Sequence, residues 1–136
     1  MGIYITNNLK PSMQCMKASS KARSVLGMIR RHFKTIAAEE FHILYDSYIR
    51  PHMEYCVQVW SAYLRKDIEC LEKVQLSATK IVKGLRKMEY KERLRRLKMT
   101  MLENRRLRGD MIETWKIVEK ILTALSFFKW QPVVTI

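Results

Sequence analysis

Apolar residues recur at helical spacing along most of this chain. From Ser12 onward Ala18, Ala22, Val25, Ile29 and Phe33 return at intervals of four, three, four and four, with Lys17, Lys21 and Arg31 on a neighbouring face. That spacing predicts a first amphipathic helix. Thr35 is placed to cap a second helix, with Glu39 and Glu40 near its positive end and Phe41, Leu44, Tyr45 and Tyr48 as its buried stripe. The helix should end before Pro51, because proline disfavours helical backbone in the residue ahead of it. Proline is welcome in a first turn, so Pro51 opens a third segment whose Met53, Cys56, Val57 and Trp60 share a face. Asp67 is the expected N-cap of a fourth helix that turns Ile68, Leu71, Val74, Ala78, Ile81 and Val82 inward, and Gly84 its expected C-terminal cap. A short basic helix from about Tyr90 to Lys98 then directs Leu94 and Leu97 inward and Arg93, Arg95 and Arg96 largely outward.

The last helical segment opens at Met101. Its stripe of Leu107, Met111, Trp115, Val118 and Leu122 reads as core, which sends Arg105, Arg106, Gly109, Lys116 and Lys120 to the opposite side. A glycine inside an exposed helix costs about 1 kcal/mol relative to alanine. Gly109 among cations therefore reads either as a point of close approach for a phosphate backbone or another helix, or as one weak spot on a solvated face. Beyond Leu122 the periodicity fades, and residues 123–136, with Pro132 among apolar side chains, read as a poorly packed tail. At the other end, Gly2 to Thr6 alternates weakly and runs into Asn7-Asn8, the pattern of a short strand and a turn. No later segment offers that strand a partner. The predicted architecture is mainly α: a bundle of five or six helices over residues 11–122, preceded by a strand and turn over 1–10.

Composition adds a partner class to this picture. The formal charge is +13, from 26 basic and 13 acidic residues among 136, and it favours a polyanion such as nucleic acid or an anionic membrane surface. The charge is unevenly placed: residues 86–110 hold ten bases and four acids, residues 1–50 eight and three, residues 51–85 five and four. Two basic lobes thus flank a nearly neutral centre. The candidates for phosphate contact are Lys17, Lys21, Arg30 and Arg31 on the first lobe, and Arg93, Arg95, Arg96, Arg105, Arg106 and Arg108 on the second, with Gly109 and Lys116 beside them.

Other chemistry is not recognisable in the pattern. There is no glycine-rich phosphate loop before a helix, no nucleophile elbow and no acidic pair suited to two magnesium ions. Most acids lie three or four residues from a base, as Glu69 does from Lys73, and read as helix-surface pairs. Cys15, Cys56 and Cys70 are odd in number and widely separated, which argues against a disulfide framework and for a reducing compartment. Together with His32, His42 and His52 they show no zinc-ligand spacing, and they read as packing residues, so no metal or cofactor is expected in this chain. Tyr45, Tyr48, Tyr55 and Trp60 sit at helical spacing and read as core before they read as base-stacking groups. No apolar run approaches a membrane span and no signal core follows Met1, so the expectation is an intracellular protein of cytoplasm or nucleus, not held in a membrane.

A series of short phrases carries a resemblance. Lys21-Ala22, Leu26-Gly27, Ile29-Arg30-Arg31, Leu44-Tyr45, Ser47, Ile49-Arg50-Pro51, Glu54-Tyr55, Val59-Trp60 and Tyr63 come first. Leu71-Glu72, Val74-Gln75, Ala78-Thr79-Lys80, Gly84-Leu85, Tyr90, Glu92-Arg93-Leu94, Leu97, Leu102-Glu103, Arg105 to Asp110 and Ile112 follow in order. This collinear series resembles the region after the palm in reverse transcriptases of jockey-like non-LTR retrotransposons, and covers most of residues 1–118. Gly2-Ile3-Tyr4-Ile5 is similar to the strand that follows the primer grip. The resemblance implies a helical thumb-like module holding RNA or an RNA–DNA hybrid, docked in its parent protein against a palm whose aspartates bind Mg2+. Those aspartates have no counterpart here, so the chain is expected not to be an enzyme, although its parent would be an RNA-directed DNA polymerase. The pattern departs from the family at Pro11, where an aromatic is expected, and fades beyond Val118. Two rival readings use the same residues: a helical assembly module packing on other protein, and a decayed copy of the element without activity.

Overall fold

The computed structural model describes residues 2–55 and 57–128. It is mainly helical, built from α1 (Ser12–His32), α2 (Ala38–Leu44), a π-helical segment (Tyr45–Ile49), α3 (Arg50–Glu54), α4 (Val57–Trp60), α5 (Arg65–Thr79), α6 (Tyr90–Arg96) and α7 (Leu102–Phe128). Among the described residues the predicted strand is absent: residues 2–6 join no ladder, and the turn at Asn7 and Asn8 follows as expected. A lone strand has nothing to satisfy its backbone, and here the Tyr4 N–H donates to the side-chain Oε1 of the buried Gln14 instead, at 3.0 Å.

The centre of the molecule is the pair α1 and α5. Small residues on α1 (Cys15, Ala18, Ser19, Ala22) let it lie close against Leu71, Val74 and Ala78, all of them buried. Side-chain contacts fix the direction of the pair. Ser12 Oγ donates to Asp67 at 2.7 Å, Ser19 Oγ meets Cys70 Sγ at 3.2 Å, and Arg30 donates to the Ser77 carbonyl at 3.0 Å, so numbers rise together and the helices run parallel. Both N-terminal ends, each a partial positive charge, therefore meet at one end of the molecule. Asp67, buried there, supplies the compensating charge. It lies inside the first turn of α5, whose N-cap is Leu64, so it is not the N-cap that its position suggested.

Pro51 does not end a helix. Phe41, Tyr45, Ile49 and Met53 are all buried at strict intervals of four, and in a regular α-helix that interval drifts by about 40° per step. The π segment, where the Arg50 N–H reaches back five residues to the Tyr45 carbonyl, takes up the drift and keeps the four side chains on one line. The same widened turn moves backbone out of the way of the Pro51 ring, which a continuous α-helix could not do. Tyr48, expected inside, is left exposed, and Ile49 takes its place. The start of this rod also differs: Ala37, not Thr35, precedes α2, and Glu40 bonds the Ala37 N–H at 3.3 Å.

After α5 the chain turns where more helix was expected. Ile81 and Val82 are buried, but in a turn that forms a single parallel bridge between Ile36 and Val82, with the Lys83 N–H on the Ile36 carbonyl at 3.0 Å. Gly84 has a φ of +80° within this turn and is not the cap of α5. α6 closes in a Schellman motif, with Met99 N–H on Leu94 O at 2.8 Å and Lys98 N–H on Arg95 O at 3.1 Å. Lys98 holds the left-handed position usually given to glycine, so no glycine marks this stop in the sequence. Phe33 closes α1 and is exposed, while Leu26 fills the core position beside Val25. Cys56, expected on the face of Met53 and Trp60, and residues 129–136 of the expected tail lie outside the described residues; residues 123–128, expected to lose helical order, continue α7.

Candidate nucleic-acid interface

A buried polar network sets the position of α7. Tyr45 Oη donates to Gln75 Oε1 at 2.7 Å; Gln75 Nε2 in turn donates to Tyr90 Oη at 3.1 Å and to the Thr100 carbonyl at 3.0 Å. The Tyr90 hydroxyl donates to Glu72, whose other oxygen accepts the Leu102 N–H at 3.0 Å. Glu72 thereby caps α7 from thirty residues away, placing a carboxylate at the helix's positive end. Burial, reinforced for Tyr90 by its bond to Glu72, pushes both tyrosine hydroxyls far up from their ordinary pKa. Desolvation likewise pushes the Cys15 thiol up to about 12, with the Asp67 charge adding to it.

Among the described residues, the buried positions of α7 lie in its first turns. Leu102 is buried, and so is Arg106 on the same side, with Nη2 lacking a hydrogen-bond partner. The stripe read as core faces water: Leu107, Met111, Trp115, Val118 and Leu122 are all exposed, Met111 at 73%. The expected orientation is thus reversed at Arg106, because Leu102 and Arg106, one turn apart, are what docks. Arg93 is reversed in the same way. It is buried, its guanidinium 5.5 Å from the Tyr90 ring centroid, with Nε and Nη1 unpartnered. Desolvation lowers its pKa.

The remaining candidate cations are exposed, and their partners differ. Arg95 and Arg96 share Glu92, at 2.7 and 3.5 Å. Lys116 pairs with Glu113 at 2.9 Å, Arg105 with Glu54 at 2.6 Å, and Arg30 is committed to the Ser77 carbonyl. Lys17 lies 4.6 Å from the Tyr4 ring centroid. Among the described residues no ion pair engages Lys21, Arg31 or Arg108. Solvent-exposed pairs of this kind are worth about 1 kcal/mol at most and open readily to a phosphate.

Two of the basic groups border one short segment. Lys17 and Lys21 border a narrow crevice with Tyr4, His52 and Tyr55. On the other side of that segment Glu54 lines an open cleft of about 650 Å³ together with Arg105, Arg106, Arg108 and Gly109. The end of α3 is therefore flanked by cations from α1 and α7. Among the described residues a Cβ built on Gly109 would meet no atom within 4 Å beyond its own stretch of helix, so no described neighbour requires glycine there. Arg30 and Arg31, at the far end of α1, and Arg95 and Arg96 on α6 do not line this cleft or crevice. Sequence reasoning missed Glu54 and Tyr4, which come from distant positions, and read Tyr55 first as core, whereas it is partly exposed and lines the crevice. The pairing of Glu92 with Arg95 and Arg96 was open to it, since three and four residues separate them.

Among the described residues no group of three or more His, Cys, Asp or Glu side chains is placed to hold a metal, and no helix is long and apolar enough to cross a membrane. No family model, curated protein or solved structure matches this chain.

Proposed function

We propose that this chain is a thumb-like module that holds RNA or an RNA–DNA hybrid through phosphate contacts and performs no catalysis of its own. The observation that carries the reading is the placement of Lys17 and Lys21, and of Arg105 and Arg108, on either side of His52–Tyr55, in a chain of charge +13. Phosphate contacts supply affinity without sequence information, which suits a module that must slide along a duplex. Glu54 holds Arg105 in place between encounters, and a phosphate entering the cleft takes over that partner. The open side of Gly109 leaves room for the backbone of a strand beside Arg108. The parent implied by the sequence resemblance is an RNA-directed DNA polymerase, in which a palm supplies the Mg2+ chemistry.

A salt series with a labelled RNA–DNA duplex tests the reading. Replacing Lys21, Arg105 and Arg108 with glutamine is expected to weaken binding by about tenfold or more and to reduce the salt slope by roughly one for each phosphate no longer neutralised. Gly109→Leu keeps the charge and should weaken binding by obstructing the cleft, whereas Gly109→Ala should bind almost normally. Equal binding and equal slope in the triple variant would remove the site.

A further inference from the structure

From Leu107 onward α7 leaves the body of the protein and carries its apolar residues into solvent. The exposed side chains Leu107, Met111, Thr114, Val118, Ile121 and Leu125 follow one another at four, three, four, three and four, the alternation of a coiled-coil seam, with a single polar member. Trp115 and Leu122 widen this strip on one flank. Ionic groups near it balance: Glu113, Lys116, Glu119 and Lys120 carry two charges of each sign, in a chain that is otherwise strongly basic. An anionic membrane or an acidic protein would find no net attraction along this stretch. A surface of the same neutral, apolar kind would.

We infer that the distal half of α7 pairs with α7 of a second copy of this chain, antiparallel, along the seam centred near Val118. Fractional exposures between 42% and 73% on the apolar seam residues and on Trp115 and Leu122 leave on the order of 700 Å² per copy to be covered, close to the roughly 800 Å² per partner of a stable interface. Direction follows from charge. A parallel pair would bring two basic bodies together at Arg105 and Arg108. An antiparallel pair sets them at opposite ends of a helix that rises about 27 Å from Leu107 to Leu125, well beyond the Debye length of about 8 Å at physiological salt. Apolar burial then proceeds without repulsion between the two bodies.

Analytical ultracentrifugation of the nuclease-treated full chain in high salt tests this. A monomer–dimer equilibrium is expected, and Ile121→Asp should weaken it by on the order of 100-fold, because each dimer would bury two unpaired carboxylates. Thr123→Lys, on the opposite side of the helix, should leave it unchanged. Both positions lie outside the body's core, so unchanged hydrogen exchange at the amides of α1 and α5 confirms that the body stays folded in each. Oxidation should trap covalent dimers through Val118→Cys and not through Leu107→Cys. A monomer at all concentrations, a dimer indifferent to Ile121→Asp, an open-ended series of aggregates, or a monomer that binds phosphatidylcholine vesicles through this helix would each overturn the proposal. Covalent trapping through Leu107→Cys would overturn the antiparallel arrangement.

Discussion

α5 and α7 are both long amphipathic helices, and they meet opposite environments. In α5, Leu71, Val74 and Ala78 are covered completely by α1 and its neighbours, and the polar residues Glu72 and Gln75 beside them are bonded into the network that positions α6 and α7. In α7 a comparable apolar stripe stands in water over most of its length, and the part that docks is Leu102 with a buried arginine. Periodicity therefore identifies a face that burial would stabilise, while the neighbours decide whether that face is covered within the chain. The helix with the covered face organises the fold. The helix with the open face is what the molecule offers to others.

The sharpest way to break this contrast is to truncate each stripe in turn. Leu71→Ala removes a fully buried side chain and should cost about 3 kcal/mol in urea unfolding. Leu122→Ala, at monomeric concentrations, should change stability by less than about 0.5 kcal/mol. Equal losses would mean that the two helices are buried alike. Next in size is Glu72→Gln, which presents an amide donor to one of the two donors now satisfied by the carboxylate. A loss of about 2 kcal/mol is expected, together with faster hydrogen exchange at the Leu102 amide. Exchange there as slow as in the parent would separate α7 from the network.

The smallest effect within the working pH range comes from titration, and it concerns the body alone. The Cys15 thiol ordinarily ionises near 9 and is held up to about 12 in the folded chain; Tyr45 and Tyr90 are shifted the same way from 10. Unfolded chains release these protons first, so the stability conferred by the neutral groups is full below pH 9 and declines as pH rises through 9 to 12. Stability should be flat from pH 7 to about 8.5 and fall steeply above it. Tyr45→Phe should soften the fall, and an alkaline limb identical to the parent's would remove Tyr45 from the account.

The helical class was legible because Ala18, Ala22 and Ile29 on α1, and Leu94 and Leu97 about α6, repeat at intervals that only a helix places on one side. What stayed hidden depends on partners far along the chain. Nothing local to Glu72 or Gln75 says that Tyr45, Tyr90 and the Leu102 amide will converge on them. Arg93 and Arg106 read as surface cations by type, and their burial is decided by neighbours from other helices. The π segment escaped because proline ordinarily stops a helix, and the strict four-residue repeat across Tyr45 and Ile49 was the one local sign of a widened turn. Of the candidate interface, the cations themselves were readable. Their grouping around His52–Tyr55 needed the fold.

The parallel course of α1 and α5 has a kinetic consequence. Helices joined by a tight turn run antiparallel and zip together at once, whereas this pair can form only after residues 33–64 have looped back to the end where α1 began. The central contacts therefore span long sequence separations in a protein that is mainly helix, and contact order slows folding. The chain should reach its native state more slowly than an up-and-down bundle of equal size, with the rate set by closure of that crossover and not by helix formation.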